Sequence, residues 1–565
     1  MKTFYSEIIE ILKKKPITKT ELNKLKNKLS KKHRLKKIPT NIEILMHCNK
    51  KEYQSLKRKL ITKPTRTGSG VAVIAIMTEP KPCPHAKKGI GPCIMCPGGP
   101  DSHFGDIPQS YTGHEPATMR AKRNNYDAYL QIFNRLEQYI VLGQTPEKVE
   151  LIIMGGTFPS YKKEYKENFI KYSFKALNDF SDFFYKNQEL DLIRFKEFFE
   201  LPGDIKNKKR TARVKKKILA QKKDSRLEKE QKKNENSKIR CIGLTIETRP
   251  DYAKLKHANQ LLEYGCTRVE LGIQTTDNKV LKKIKRGHSV KESIDSTRTL
   301  KDLGFKINYH MMPGLPGSTQ KKDLEILKEI IKNPDFRPDM LKIYPAMVLE
   351  GTELYEKYKK EKFKPMTTKQ ATKLISKFKK HVPEYIRIMR VQRDIPTKTI
   401  AAGVDRTNLR QYIKKETEKN NIQCRCIRCR EPKNRKVNPK NIKIYTKKYK
   451  ASKGKEYFIS AEDKQNNIIL GFLRIRFPDR QLRPEITKDT AIVRELHVYG
   501  RAVSIGKKGK VQHKGYGKKL LAKAEQIAKK NKKNKIIIIS GIGARNYYRK
   551  LGYKKQGPYM VKNRL

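Results

Sequence analysis

Acidic residues are scarce in this chain of 565 residues: Asp and Glu number 57 against 130 Lys and Arg, a formal charge of +73. A surface that needs charge only for solubility is served by mixed signs, so the deficit excludes that explanation by itself. It also creates self-repulsion that a polyanion relieves. A Lys-rich compositional bias accounts for part of the excess but not for its sign, and nucleic acid is the leading partner. No apolar run reaches the roughly 18–20 residues that cross a bilayer. The opening stretch MKTFYSEIIEILKKK is a short amphipathic pattern without a cleavage site, so a cytoplasmic protein is expected. Cysteine is sparse too. Nine in the whole chain are too few for a disulfide framework, and six of them fall in two tight clusters, as metal ligands do in a reducing compartment.

A chain of this length holds two to four cores. Residues 1–65 carry helical periodicity on a basic background and read as a small helical module. From 66 to 345 the runs VAVIAIM, KVELIIMGG, IRCIGLTIE, RVELGIQ, FKINYHMM and MLKIYP alternate with helical stretches. Six strands alternating with helices predict a parallel α/β sheet, most simply a partial (β/α)6 barrel. Within it, residues 202–238 are dominated by Lys, Arg, Asn and Glu and read as a flexible or fraying helical insertion. Residues 346–440 form a bridge that contains RIMRVQRDIP and the second cysteine cluster. Residues 441–565 alternate strands (YFISAED, IILGFLRIRF, AIVRELHVYG, IIIIS) with one strong helix from Tyr516 to Lys530, an α+β domain of its own.

The first cluster, CPHAKKGIGPCIMCPGG, sets Cys83, Cys93 and Cys96 on one Gly/Pro-rich loop after the first barrel strand. Three thiolates ligate three corners of a 4Fe-4S cluster and leave one iron open to a chelator such as S-adenosylmethionine (SAM). The alternative is a zinc loop, which needs a fourth ligand such as His85. Position favours the cluster, because barrels hold their chemistry where loops leave the C-terminal ends of strands. Further polar residues sit at such ends: Gly155 and Gly156 after the second strand, Glu247, Thr248 and Arg249 at the third, Glu270 and Gln274 on the fourth and His310 on the fifth.

The second cluster, Cys424, Cys426 and Cys429 in IQCRCIRCRE, follows no barrel strand. It reads as a structural zinc site with a fourth ligand from elsewhere, His381 being a weak candidate, and three free thiols are the alternative. In the last domain, Gln512, Gly515 and Gly517 form Q-x-x-G-x-G before a helix starting near Tyr516 and Lys518. This is the pyrophosphate loop of GNAT acetyltransferases, in which glycines let backbone N–H groups approach phosphate. Pantetheine would pair with the backbone of Glu495, Leu496, His497 and Val498. Tyr547 and Tyr548 would lie near the thioester as acids to the leaving thiolate. A glycine-capped helix with two core tyrosines is the alternative.

These blocks together (TRTGSGVAVIAIMTEPKPCPH, CIMCPGGPDSHF, QSYTGHEPATMRA, VELIIMGGTF, IGLTIETRPDY, RVELGIQT, YHMMPGLPGS, VQRDIP and RNYYRKLGY) resemble the family of Elongator catalytic subunits over about nine tenths of the chain. Thr157 replaces the Glu that many radical SAM proteins carry after Gly155 and Gly156, and in this it agrees with that family. The resemblance implies that Lys148 contacts acetyl-CoA and that the 1–65 module and the bridge bind the anticodon stem-loop of tRNA. It further implies a reaction in which a SAM-derived radical takes hydrogen from the acetyl methyl, the carbon radical adds to C5 of the wobble uridine, and thioester hydrolysis leaves carboxymethyluridine. Other Elongator-type subunits or a homodimer are possible partners, and the electron donor is not specified. Two competing readings are a protein lysine acetyltransferase and a tRNA-binding scaffold with degenerate sites.

Overall fold

The computed structural model describes residues 3–62, 70–86, 89–204, 207–433, 435, 437–499 and 515–563. They fall into two compact units: Met1–Ile74 with Ala128–Val149 and Ile170–Cys241, and Ala75–Asp127 with Glu150–Phe169 and Ile242–Leu565. No described helix is long and apolar enough to cross a membrane.

The first unit opens with four helices, α1 (Phe4–Lys14), α2 (Lys19–Lys32), α3 (Asn41–His47) and α4 (Lys50–Leu60). Three of them start where sequence chemistry dictates. Thr18, Thr40 and Asn49 each accept from the backbone three residues on, while Glu21, Glu43 and Glu52 reach back to the cap, which closes a capping box. The same unit holds much of the expected flexible insertion, and here the structure differs from the sequence reading. With α5 (Ala128–Val141) and α6 (Lys163–Phe184) preceding it, the insertion folds into α7 (Lys208–Ala220) and α8 (Leu227–Asn234). Arg210, Val214 and Ile218 make one buried stripe at i, i+4 and i+8. The Arg210 guanidinium meets Glu137 of α5 at 3.1 Å. Asn178 of α6 donates to Glu230 of α8 at 2.7 Å. A stripe of two apolar residues and one arginine is too thin to register as periodicity, yet buried polar pairing completes it.

Most of the parallel sheet lies in the second unit: β1 (Ala72–Met77), β2 (Lys148–Met154), β3 (Arg240–Thr248), β4 (Arg268–Gln274), β5 (Lys306–Met311), β6 (Met340–Ile343) and β7 (Arg387–Arg390), hydrogen-bonded in that order, with the first residues of β1, β2 and β3 in the first unit. All six expected strands form, and a seventh joins them. β7 lies in the segment read as a bridge and runs parallel to β6, with Leu341 opposite Ile388. It escaped detection because Ile388 and Met389 are its only apolar residues, set between Arg387 and Arg390. Along β4, β5 and β6 the residues Val269, Leu271, Ile273, Ile307, Tyr309, Met311, Leu341 and Ile343 are all buried. Their alternation with polar residues has the period of two of a strand.

The C-terminal part of this unit is a second seven-stranded sheet. In chain order its strands are β8 (Lys443–Ala451), β9 (Gly454–Asp463), β10 (Ile468–Phe477), β11 (Thr490–Val498), β12 (Lys535–Ile538), β13 (Lys554–Gln556) and β14 (Tyr559–Asn563), and in space they run β8-β9-β10-β11-β12-β14-β13. Its long helix, α11 (Tyr516–Lys530), is the one expected, when Val290–Asp302 and Thr368–Lys379 are numbered α9 and α10. Leu520, Leu521 and Ala524 of the helix pack with Ile459, Leu473, Ile475, Val493 and Ile538 of the sheet. Arg474 pairs with Glu495 but Ile475 with Val493, so Arg494 is an extra residue, a β-bulge. The bulge turns Arg494 and Glu495 toward the barrel, where Arg494 grips Asp339 and Arg474 lies against both Asp339 and Glu495.

Candidate active site

Cys83, Cys93 and Cys96 lie on the loop after β1, free of disulfides and partly accessible. Two sulfurs already receive hydrogen bonds: the Ser110 N–H donates to Cys96 Sγ at 3.3 Å, and Arg286 Nη1 to Cys93 Sγ at 3.5 Å. Burial pushes the Cys96 thiol up to about 11, and Cys93 beside it adds to the effect. A bound metal offsets that cost by stabilising the thiolate. The three thiols sense one another's charge, yet among the described residues they are not gathered with all sulfurs within 4.8 Å, whereas those of Cys424, Cys426 and Cys429 are. A single tetrahedral zinc, with bonds of about 2.3 Å, needs the bunched arrangement. The wider triad fits a polynuclear cluster. His85 does not support the zinc alternative: its Nε2 is 2.8 Å from Asp251, and its Nδ1 faces Gly287, where a Cβ would fall 1.8 Å away.

Around this loop the strand ends supply polar groups. Gly155 and Gly156 take φ of +116° and +95°, and a Cβ on Gly155 would stand 2.3 Å from Thr78 Oγ1, so this turn holds a backbone form that favours glycine and packs closely against Thr78. Arg249 is buried against Asp251 at 3.0 Å and reaches the Arg286 carbonyl. Glu247 accepts from the Tyr111 hydroxyl at 2.8 Å and lies 3.3 Å from Lys342 Nζ. Glu270 is fully buried, in contact with Lys342 and 2.8 Å from His310 Nε2. The Lys342 ammonium and the His310 bond outweigh burial and hold its carboxyl well below the usual range. Glu247, Glu270 and His310 converge within 4.8 Å. Gln274, at φ +72°, ends the same strand with its Oε1 buried and unpartnered. Tyr111, Lys342, Asp251 and Arg286 escaped the sequence reading. Lys342 had a signal, a charge inside the otherwise apolar run MLKIYP. Lys148 opens β2 and belongs to the first unit; burial, with Arg240 nearby, lowers its pKa.

The N-terminal ends of the strands carry a different cluster. Arg494 makes a bidentate pair with Asp339 at 2.6 and 2.7 Å and bonds Glu456 at 2.9 Å. Arg476 joins Asp302 to Glu456, and Arg474 holds Glu495 at 2.8 Å. Lys301 Nζ is 3.6 Å from Glu456. All three arginines and Lys301 are fully buried, and the cluster ties the start of β6 and the end of α9 to β9, β10 and β11. Nothing in the sequence pattern separated these charges from surface ones.

On β11 the pairing with β12 stops at Val493 opposite Ile538, so the expected backbone of Glu495, Leu496, His497 and Val498 has β10 as its partner strand on one side alone. The Glu495 carboxylate is spent on Arg474. Gly515 sits before α11 at φ +79°, and no side chain caps that helix start, the form that receives an anion. Tyr516 and Gly517 follow half-buried and Lys518 exposed, while Gln512 lies outside the described residues. The two tyrosines separate. Tyr547 is 40% exposed, and its hydroxyl is 2.8 Å from where a Gly517 Cβ would stand. Tyr548 belongs to the apolar core, where burial raises its pKa.

Cys424, Cys426 and Cys429 bunch as the spacing suggested, with Lys379 Nζ 3.6 Å from Cys429 Sγ. His381 is not with them. It is exposed just past the end of α10, among the charges of Lys328, Lys332 and Glu325, because the turn after Lys379 carries it away from the loop.

Four family models match this chain: the ELP3 N-terminal domain over residues 1–68, the radical SAM superfamily over 206–330, the radical SAM C-terminal domain over 338–419 and the GNAT acetyltransferase family over 425–553. A tRNA uridine(34) acetyltransferase of Methanocaldococcus infernus is 46% identical, covering 93% of this chain and 91% of its own. Elongator complex protein 3 of Homo sapiens is 39% identical over 96% of this chain and 93% of its own. The solved structure of archaeal Methanocaldococcus infernus Elp3 with an N-terminal deletion superposes with a TM-score of 0.70 at 41% identity, covering 88% of this chain and 99% of that one. With relatives this similar along nearly its whole length, the chain belongs to the Elongator complex protein 3 family.

Proposed function

We propose that this chain modifies the wobble uridine of tRNA, using acetyl-CoA and SAM-derived radical chemistry to build a 5-carboxymethyl group. The observation that carries this reading is the presence, in one compact unit, of a three-thiol loop at the C-terminal ends of barrel strands and a splayed strand beside an uncapped helix start. A 4Fe-4S cluster on Cys83, Cys93 and Cys96 supplies, when bound, the electron that splits SAM. The backbone of Gly155 and Gly156 lies along the methionine end of SAM, and Glu247, Arg249, Gln274 and His310 offer it charges and hydrogen bonds, with Glu270 fixing His310. Gly515 and Gly517 open the start of α11 to the pyrophosphate, and the backbone of residues 495–498 pairs with pantetheine. Tyr547 is the exposed phenol suited to protonate a leaving thiolate. Lys148 is a further contact for acetyl-CoA. Cys424, Cys426 and Cys429 hold a structural zinc. The basic helices of residues 4–60 meet tRNA phosphates, and the unpaired wobble base leaves its stack at a cost of a few kcal/mol. The setting is the cytoplasm, where the other subunits of an Elongator-type assembly would join it.

The test sets Gly517→Leu beside Cys93→Ala. A side chain at Gly517 runs into Tyr547 and Val498 and blocks acetyl-CoA, while loss of Cys93 leaves acetyl-CoA binding intact. Both variants should lose tRNA modification, read by nucleoside mass spectrometry. A lysine acetyltransferase would lose peptide acetylation in Gly517→Leu but keep it in Cys93→Ala. Cluster-independent peptide acetylation faster than tRNA modification would overturn the proposal.

A further inference from the structure

Barrel interiors are ordinarily filled by layers of branched apolar side chains, and this one is not. The apolar residues of β4, β5 and β6 alternate with Arg268, Glu270, Asn308, His310 and Lys342, and contacts between non-adjacent strands show that these polar residues face the inside. Arg268 of β4 reaches across β3 to Glu150 of β2 at 2.6 Å. Lys342 of β6 reaches Glu247 of β3 at 3.3 Å, across β4 and β5. Polar contacts thus run unbroken along the axis, from Glu150 and Arg268 through Glu270, Lys342 and Glu247 to Tyr111.

Buried atoms on this axis without a hydrogen-bond partner are Arg268 Nη2, Asn308 Oδ1 and Gln274 Oε1, while Arg268 Nε and Glu270 Oε1 face each other at 3.5 Å. Leaving each unmade costs about 1–3 kcal/mol, and a row of them marks a place where something polar sits. They include both donors and acceptors. The N-terminal mouth of the passage is lined by the C-terminal domain. A Cβ on Gly541 would stand 2.1 Å from the Ile242 carbonyl, and Glu495 of the splayed strand lies close enough to feel the charge of Lys306, the first residue of β5. At that mouth β3 carries Gly243, whose missing side chain leaves ordinary van der Waals space toward Glu150 and Thr267. The thiol loop is at the other end, six residue steps of strand away, or about 20 Å. Resting on the acetyl-CoA chemistry proposed above, we infer that the barrel interior is the passage through which the acyl-pantetheine arm brings its thioester from β11 to the SAM side. Its amides match the unpartnered donors and acceptors.

Gly243→Leu plugs the mouth on a strand residue outside both binding sites, Gly243→Ala narrows it, and Asn308→Leu closes the middle while removing the unpartnered Asn308 Oδ1. Holoenzyme with tRNA, SAM and acetyl-CoA deuterated in its methyl group is assayed for deuterium in 5′-deoxyadenosine, which records one hydrogen atom leaving the methyl and joining the 5′ carbon. Gly243→Leu and Asn308→Leu should cut that transfer at least tenfold, with Gly243→Ala between, while acetyl-CoA and SAM affinities stay within twofold. Wild-type transfer in both leucine variants overturns the passage and leaves a water-filled interior only. If Gly243→Leu does not fold, Asn308→Leu decides alone. Absence of deuterium transfer in the unaltered enzyme, with uridine still modified, would instead overturn the radical use of acetyl-CoA.

Discussion

The two ends of the barrel carry comparable densities of charge and put them to opposite uses. At the N-terminal ends the carboxylates of Asp302, Asp339, Glu456 and Glu495 are each held by an arginine, at full burial or close to it. At the C-terminal ends Glu247 and His310 keep some access to solvent, and Gln274 keeps an unmade bond. Saturated charge of the first kind fixes one body against another, since a buried ion left unpaired is costly. Unsaturated charge of the second kind waits for a ligand. Pairing of every carboxylate with an arginine, more than the presence of charge, separates the joint from the site; within the joint Lys301 Nζ and Arg474 Nη1 add ion pairs without a hydrogen bond.

Breaking the joint should give the largest effect on stability. Arg494→Met strips Asp339 of its bidentate partner and Glu456 of a donor. The two buried carboxylates are left one cation short, with Arg474, Arg476 and Lys301 as their remaining partners, at the lower end of the range for a broken buried pair, about 3 kcal/mol. Urea unfolding followed by circular dichroism should show that loss, and a change below 1 kcal/mol would mean that the cluster does not hold the joint.

The same distinction explains what the sequence could reveal. Both cysteine triads, six barrel strands and α11 were legible because each writes a local signature: a spacing, a period of two, or a glycine before an apolar helical stripe. Strand β7 was not, since Arg387 and Arg390 mask a run of two apolar residues whose pairing is decided by β6. Helix α7 was not, because its buried face depends on Arg210 finding Glu137 seventy-three positions away. Among the site residues, Tyr547 and Tyr548 looked equivalent, and packing alone sends one to the helix start and the other into the core. His381 was a weak candidate for the fourth zinc ligand, and the turn after α10 takes it elsewhere. Charge in the sequence carries no mark of whether tertiary structure will pair it.

A smaller effect comes from Lys301, fully buried within the joint, where burial outweighs Asp339 and Glu456 and lowers its pKa to about 8. A base whose folded pKa lies below its unfolded value of about 10.4 binds fewer protons folded than unfolded across that window. Stability therefore rises as pH climbs from about 8 toward 10.4, and below 8 the burden is constant. Its full size is at most about 3 kcal/mol. Replacing Lys301 by Met should remove this slope, so the stability difference between wild type and variant should move in favour of wild type between pH 8 and 10. A difference that stays flat over that range would show that the ammonium is not titrating there.

The smallest expected change in free energy lies at the open end, and it should appear in function with the fold untouched. Glu247 accepts from Tyr111 and faces Lys342, with a side chain 13% exposed, so Glu247→Gln keeps shape and one acceptor while deleting the charge. Hydrogen bonds to charged groups are worth about 1.5–3 kcal/mol, which corresponds to roughly a 10- to 150-fold loss in the efficiency of SAM cleavage. Lys342 keeps Glu270 as its second partner, so no buried charge is stranded and the melting temperature should hold within about 2 °C. If the variant instead melts early and cleaves SAM normally, Glu247 belongs with Asp339 and Glu456 as part of the framework, and the division between the two ends fails at that residue.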